Sequence, residues 1–123
     1  METIKKTKTR APVNGYGLSK LWLEDLGEMY SRVYGISVIA ARLGWFIRNE
    51  EEFKEILSHP LGNKLYLSVD DANNFFYSCL LENEITFSII YALSKQGDNE
   101  LFDLHPSVKI ISYSPKDKLK KYV

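Results

Sequence analysis

The residues best suited to chemistry stand near the front of the chain, in Asn14-Gly15-Tyr16-Gly17-Leu18-Ser19-Lys20. Tyr16 and Lys20 are four positions apart, at what the pattern reads as the first turn of a long helix. On a helix that spacing puts both side chains on one face, with Cβ atoms about 5–6 Å apart. A phenol beside an ammonium is biased toward phenolate. A tyrosine so placed can exchange a proton with a sugar-like hydroxyl near neutral pH. The spacing alone is common, and an exposed tyrosine and lysine at a helix start satisfy it with no chemistry at all. Asp70 and Asp71 form a carboxylate pair that could serve acid–base or metal chemistry, but at the opening of a helix they are explained by the positive helix end. Cys79, the single cysteine, lies in the apolar run Phe75–Leu81 with no Cys or His at ligand spacing. It reads as a buried, inert thiol.

The pair needs a helix to hold it. Leu18, Leu21, Trp22, Leu26, Met29, Tyr30 and Val33 recur at helical spacing and predict an amphipathic helix over 17–34, stopped by Gly35 in a left-handed conformation. The β-branched run Ile36–Leu43 predicts a strand buried on both faces. Gly44 ends it, and Trp45-Phe46-Ile47-Arg48 is expected as the loop leaving its C-terminal end. Ligands of open α/β sheets bind outside the carboxyl ends of strands, so this loop is a candidate site wall. Core packing is the competing use of Trp45 and Phe46. Asn49 with Glu52 predicts a capped helix over 50–57, and residues 64–67 a short extended piece. Ser68 with Asp71 opens a helix over 69–82 whose inner face should carry Ala72, Phe75, Phe76, Cys79 and Leu80. Thr86–Leu93 reads as a second apolar strand and residues 107–111 as a helical turn. A turn at 113–117 should then lead into a lysine-rich terminal helix. The order of elements predicts an α/β fold with a parallel pair.

Composition narrows the field. A chain of 123 residues is one domain's worth, with an exposed basic arm over 1–13 and one unit over 14–123. Sixteen basic and sixteen acidic residues cancel, so nothing global points to nucleic acid. No apolar run approaches the roughly 20 residues of a membrane span, and no signal-peptide core is seen. The cytoplasm is the expected compartment. A dinucleotide site needs a glycine-rich turn between a strand and a helix. No G-x-G-x-x-G occurs, and only two good strands and one short one are found where a doubly wound sheet has about five or six. The chain reads like the back half of a larger fold.

In that light the chain resembles the C-terminal half of an extended short-chain dehydrogenase/reductase, the family of NAD-dependent sugar epimerases, dehydratases and uronate dehydrogenases. The Y-G-x-S-K form of the family's motif is matched by Tyr16–Lys20, and its strand ending in Arg-x-Gly by Arg42-Leu43-Gly44. An aspartate pair opening a helix is matched at Asp70-Asp71, and the family's ending at Asp103-Leu104-His105-Pro106 and Tyr113-Ser114-Pro115-Lys116-Asp117. The resemblance implies a partial Rossmann-like doubly wound parallel sheet of two to three strands with flanking helices. It implies NAD or NADP as cofactor, Tyr16 as general acid/base, and Lys20 on the nicotinamide ribose, with Tyr16, Lys20, Leu43 and Gly44 as cofactor contacts. Trp45 and Arg48 would line the substrate pocket. The positioning serine or threonine and the phosphate-binding loop belong to the half not matched here, so this chain alone is expected to bind dinucleotide poorly. Trp45 stands where uronate dehydrogenases carry a small polar residue, and the segment 49–64 is longer, which points away from a hexuronate. A small-molecule substrate is implied, with no nucleic acid and no membrane. The helix over 17–34 would serve a homodimer or a separate N-terminal half, or a non-catalytic module that self-associates.

Overall fold

The computed structural model describes residues 10–120. Helix α1 runs Gly15–Tyr34. Asn14 caps it, accepting a hydrogen bond from the Gly17 N–H at 2.8 Å. Gly35 closes it at φ 68°, a conformation that penalises any residue with a Cβ. The face of α1 turned to the sheet is built from small residues. A Cβ on Gly27 would lie 3.0 Å from Val38 Cγ1, and buried Ser31 donates its hydroxyl to the Thr86 carbonyl at 2.6 Å. The large apolar residues Leu18, Trp22, Leu26 and Tyr30 are exposed instead. The expected stripe therefore exists, but it does not feed the core, because only glycine and serine let the helix approach the strands so closely.

The parallel pair is present. Strand β1 (Val38–Leu43) pairs with β4 (Phe87–Ala92), from Val38 opposite Phe87 to Leu43 opposite Ala92. Strand β4 and its continuation are covered on both faces: Ile90 and Ala92 enter one core cluster, Tyr91 and Leu93 another. The larger cluster joins them to Leu67, Ala72, Phe75, Ile111 and Tyr113. This α/β arrangement, parallel strands flanked by helices, is the α/β fold the order of elements predicts and matches the partial Rossmann-like fold the resemblance implies.

Five elements connect the two strands, and three depart from expectation. Trp45–Phe46 is not loop: it forms strand β2, paired in parallel with β3 (Tyr66–Leu67). Ser94 N–H extends the pairing to the Tyr66 carbonyl at 2.9 Å, so the backbone beyond Gly44 finds partners that a free loop would leave to water. Helix α2 (Glu50–Ser58) is capped by Asn49 as expected, although Glu52 returns its carboxylate to the Arg48 N–H and not to Asn49. Residues Gly62–Leu65 form the short helix α3, leaving only Tyr66–Leu67 extended. Helix α4 (Val69–Leu81) buries Asp71, Ala72 and Phe75, but Phe76 is 47% and Leu80 84% exposed. The helix meets the core along a narrow stripe, so the expected inner face was drawn too wide. Cys79 is half-buried, and burial pushes its thiol above the ordinary value. Helix α5 spans His105–Ile111, starting earlier than expected, with Pro106 in its first turn.

The expected lysine-rich terminal helix is absent among the described residues. Residues 116–120 form no helix, and Lys118 forms a parallel bridge with Lys95. Asp71 holds the start of this segment. Its side chain is fully buried and accepts from Ser94 Oγ at 2.6 Å, Lys116 N–H at 2.8 Å and Asp117 N–H at 3.1 Å. These bonds pin the backbone at Lys116 and Asp117, and the pairing of Lys118 with Lys95 carries the segment on outside a helix. Asp71 thus does more than complement a helix end: it ties α4, the end of β4 and the C-terminal segment together.

Candidate active site

Tyr16 and Lys20 lie where the sequence put them, on one face of the first turns of α1. The Lys20 Nζ sits 5.1 Å above the Tyr16 ring centroid, a cation–π geometry, and both residues are exposed. Ser19 does not reach between them; its hydroxyl donates to the Tyr16 carbonyl at 2.6 Å. A proton could therefore pass between the Tyr16 phenol and a ligand hydroxyl approaching from solvent.

What fixes this face relative to the sheet is a residue pair that sequence reasoning did not single out. Glu24 follows Lys20 by one turn and continues the same face. Its carboxylate takes two hydrogen bonds from the Arg42 guanidinium, at 2.8 and 3.1 Å. Arg42, next to the C-terminal residue of β1, also reaches the Tyr91 hydroxyl at 3.3 Å. The two side chains are only 22% and 12% exposed, so water screens the pair weakly. The Glu24 carboxylate holds Arg42 above its ordinary value, against the opposing effect of burial. The sequence signal was available in the 16, 20, 24 spacing, but Arg42 lies too far along the chain for any helical rule to pair it.

The other candidates separate by role. Gly44 is required by packing: a Cβ there would meet the Leu93 side chain and the Leu65 carbonyl at 2.4 and 2.5 Å. Leu43 is 53% exposed at the end of β1. Trp45 packs edge-on against His59, ring centroids 6.0 Å apart, so much of its surface serves packing. Arg48 is exposed and engaged by Glu52 in an ion pair one helical turn apart. That pair depresses the Glu52 carboxyl and raises the Arg48 guanidinium. The structure brings Leu43, Gly44 and Trp45 together at the carboxyl end of β1, and places Arg48 beyond them before α2. Among the described residues no group of three or more His, Cys, Asp or Glu could hold a metal ion, and no helix is long and apolar enough to cross a membrane.

No model of a known protein family matches the chain. Individual proteins do. The chain is 27% identical over 116 residues to an NAD-dependent glucose-6-phosphate dehydrogenase of Haloferax volcanii, covering 94% of this chain and 42% of that enzyme. It is 30% identical over 118 residues to a uronate dehydrogenase of Pseudomonas syringae, covering 94% of this chain and 39% of the relative. Its fold superposes on the crystal structure of uronate dehydrogenase from Agrobacterium tumefaciens with a TM-score of 0.79 at 19% identity, over 96% of this chain and 41% of that one. A glucuronic acid dehydrogenase from Chromohalobacter salexigens gives the same score at 22% identity and the same coverage. The chain thus spans about two fifths of the length of the proteins it matches. In sequence and fold it is similar, over nearly all of its own length, to uronate-dehydrogenase-like NAD-dependent enzymes, as the C-terminal half of such an enzyme would be.

Proposed function

We propose that this chain supplies the proton-transfer part of an NAD(P)-dependent dehydrogenase acting on a sugar or sugar acid. The observation that carries the reading is the Tyr16–Lys20 pair on the first turns of a helix clamped to a parallel strand pair by Glu24 and Arg42. The similarity to NAD-dependent glucose-6-phosphate and uronate dehydrogenases supports it. Tyr16 takes the proton from the substrate hydroxyl as the carbon bearing it is oxidised, and returns it in the reverse direction. Lys20 donates hydrogen bonds to the ribose of the dinucleotide and keeps a positive charge beside the phenol. NAD, when bound, accepts the hydride. Leu43 and Gly44, at the carboxyl end of β1, would border the bound nicotinamide, and Trp45 with Arg48 would border the substrate. The fit is partial, because no glycine-rich turn able to grip the pyrophosphate is present in the sequence. That grip must come from polypeptide outside these residues.

The test uses the protein as its source makes it, recovered through a tag at its C-terminus. NADH formation is followed with glucuronate, galacturonate and glucose 6-phosphate, for the natural chain and for Tyr16→Phe. A rate that falls at least 100-fold in the variant, with NAD affinity kept, supports the assignment. Equal rates in the two proteins, or no NADH with any of the three substrates, would refute it.

A second reading rests on the exposed ridge Leu18, Trp22, Leu26, Tyr30 and Val33, a continuous apolar row on α1. Such a row fits helix-to-helix association, either between two copies or with a polypeptide completing the sheet. Sedimentation distinguishes them: Trp22→Glu converting a dimer to a monomer supports self-association, and a monomer at high micromolar concentration in both proteins counts against it.

A further inference from the structure

The lysines near the C-terminus belong neither to the Tyr16–Lys20 site nor to the core. Lys116, Lys118 and Lys120 alternate with Asp117 and Leu119 along the C-terminal segment. The three lysines are exposed and the two intervening residues half-buried. Lys95, three residues beyond β4, bridges Lys118 and adds a fourth ammonium. All four line a single cavity of about 420 Å³, with Asp117, Leu119, Phe53 and Tyr66.

The backbone carrying these charges is held in place. Asp71 accepts the N–H groups of Lys116 and Asp117, and Lys95 N–H donates to the Asp117 carbonyl at 2.7 Å. One carboxylate shares the cavity: Asp117, which accepts the Ser68 hydroxyl at 2.7 Å, offsets one of the four charges and leaves an excess of positive charge. The ion pairs among the described residues join Arg10 to Asp25, Arg32 to Glu28, Arg42 to Glu24 and Arg48 to Glu52, and include none of these lysines. Solvation alone suffices for one exposed lysine. Four on a pinned backbone around one cavity repel one another, and a compact anion relieves that repulsion. The cavity also lies on the carboxyl side of β4, where α/β sheets take ligands.

We propose that this cavity binds the phosphomonoester group of a small phosphorylated ligand. Lysine ammoniums bind phosphate as point charges without demanding a fixed fork geometry. The cavity volume lies within the roughly 300–1,000 Å³ typical of small-molecule sites. The inference goes beyond the dehydrogenase reading and stands without it, since the two sites share no residue.

The test is a nitrogen-resolved NMR titration of the protein with inorganic phosphate and with glucose 6-phosphate, at constant ionic strength set by chloride. The expected result is saturable shifts confined to Lys95, Tyr66 and residues 116–120, with the phosphosugar binding more tightly than phosphate. Lys116→Gln with Lys118→Gln should weaken both by roughly tenfold, from the loss of two nearby charges. Removing the same charge by Lys109→Gln with Arg32→Gln should leave affinity unchanged. Both double variants change exposed side chains, and an unaltered melting temperature establishes that they fold. Shifts spread evenly over all surface lysines, equal weakening by the two double variants, or a short single-stranded RNA binding more tightly than the phosphosugar at equal phosphate concentration would each overturn the proposal.

Discussion

Replacing Asp71 by asparagine should loosen the C-terminal segment and lower the stability of the whole chain. Three donors converge on the buried carboxylate: the Ser94 hydroxyl and the N–H groups of Lys116 and Asp117. Asparagine has the same shape but one accepting oxygen, and its amide group would face at least one of these donors. A hydrogen bond to a charged acceptor contributes about 1.5–3 kcal/mol, and a buried donor left unmatched costs a further ~1–3 kcal/mol. The net loss should therefore be about 2–4 kcal/mol, or a fall in melting temperature on the order of 10 °C for a chain of this size. Urea denaturation followed by circular dichroism measures the loss, and hydrogen exchange at Lys116 and Asp117 localises it. Ser94→Ala removes one of the three donors and also the acceptor of the buried Ser68 N–H, and should cost about 2–3 kcal/mol without speeding exchange at 116 and 117 as much as Asp71→Asn does. The reasoning fails if Asp71→Asn lies within about 0.5 kcal/mol of the natural chain, or if amide exchange at 116 and 117 is no faster in the variant.

Two further outcomes follow from the geometry. A double-mutant cycle on Glu24→Gln and Arg42→Gln should give a coupling of about 1–2 kcal/mol, above the range for exposed pairs because both side chains are mostly sheltered. Coupling below about 0.3 kcal/mol would mean that the pair does not hold α1 to the sheet. Cys79, its thiol raised by burial, should react with Ellman's reagent at pH 8 more slowly than a free cysteine, and speed up as pH rises or urea is added. The sign follows from the thiolate being the reactive form: a raised pKa leaves less of it at a given pH. A reaction as fast as that of free cysteine would contradict the placement of Cys79 on α4.

Local rules read much of this chain well. Asn14 and Gly35 bracket α1, Asn49 opens α2, and Ser68 opens α4, each by a hydrogen bond or a dihedral within a few residues of sequence. The parallel pairing of β1 with β4 followed from two apolar runs separated by helices. The Tyr16–Lys20 juxtaposition followed from helical periodicity alone. Other features were decided by residues distant in sequence. Trp45–Phe46 became a strand because β3 lay alongside it. The segment 116–120 was placed by a carboxylate 45 positions upstream, which takes the Lys116 N–H, and by the pairing of Lys118 with Lys95. Phe76 and Leu80 share the helical phase of Phe75 and Ala72 closely enough to mislead, and only packing shows which turned outward.

The sequence by itself determined where helices begin and end, which runs are strands, and that a phenol and an ammonium share a face, because capping, periodicity and backbone preference act over a turn or two. Tertiary structure alone decided that small residues of α1 meet the sheet, that Arg42 clamps Glu24, and that four lysines surround one cavity. Those outcomes depend on which surfaces meet. A buried carboxylate or a half-sheltered ion pair takes its partners from whatever backbone the fold delivers, at separations no local pattern encodes.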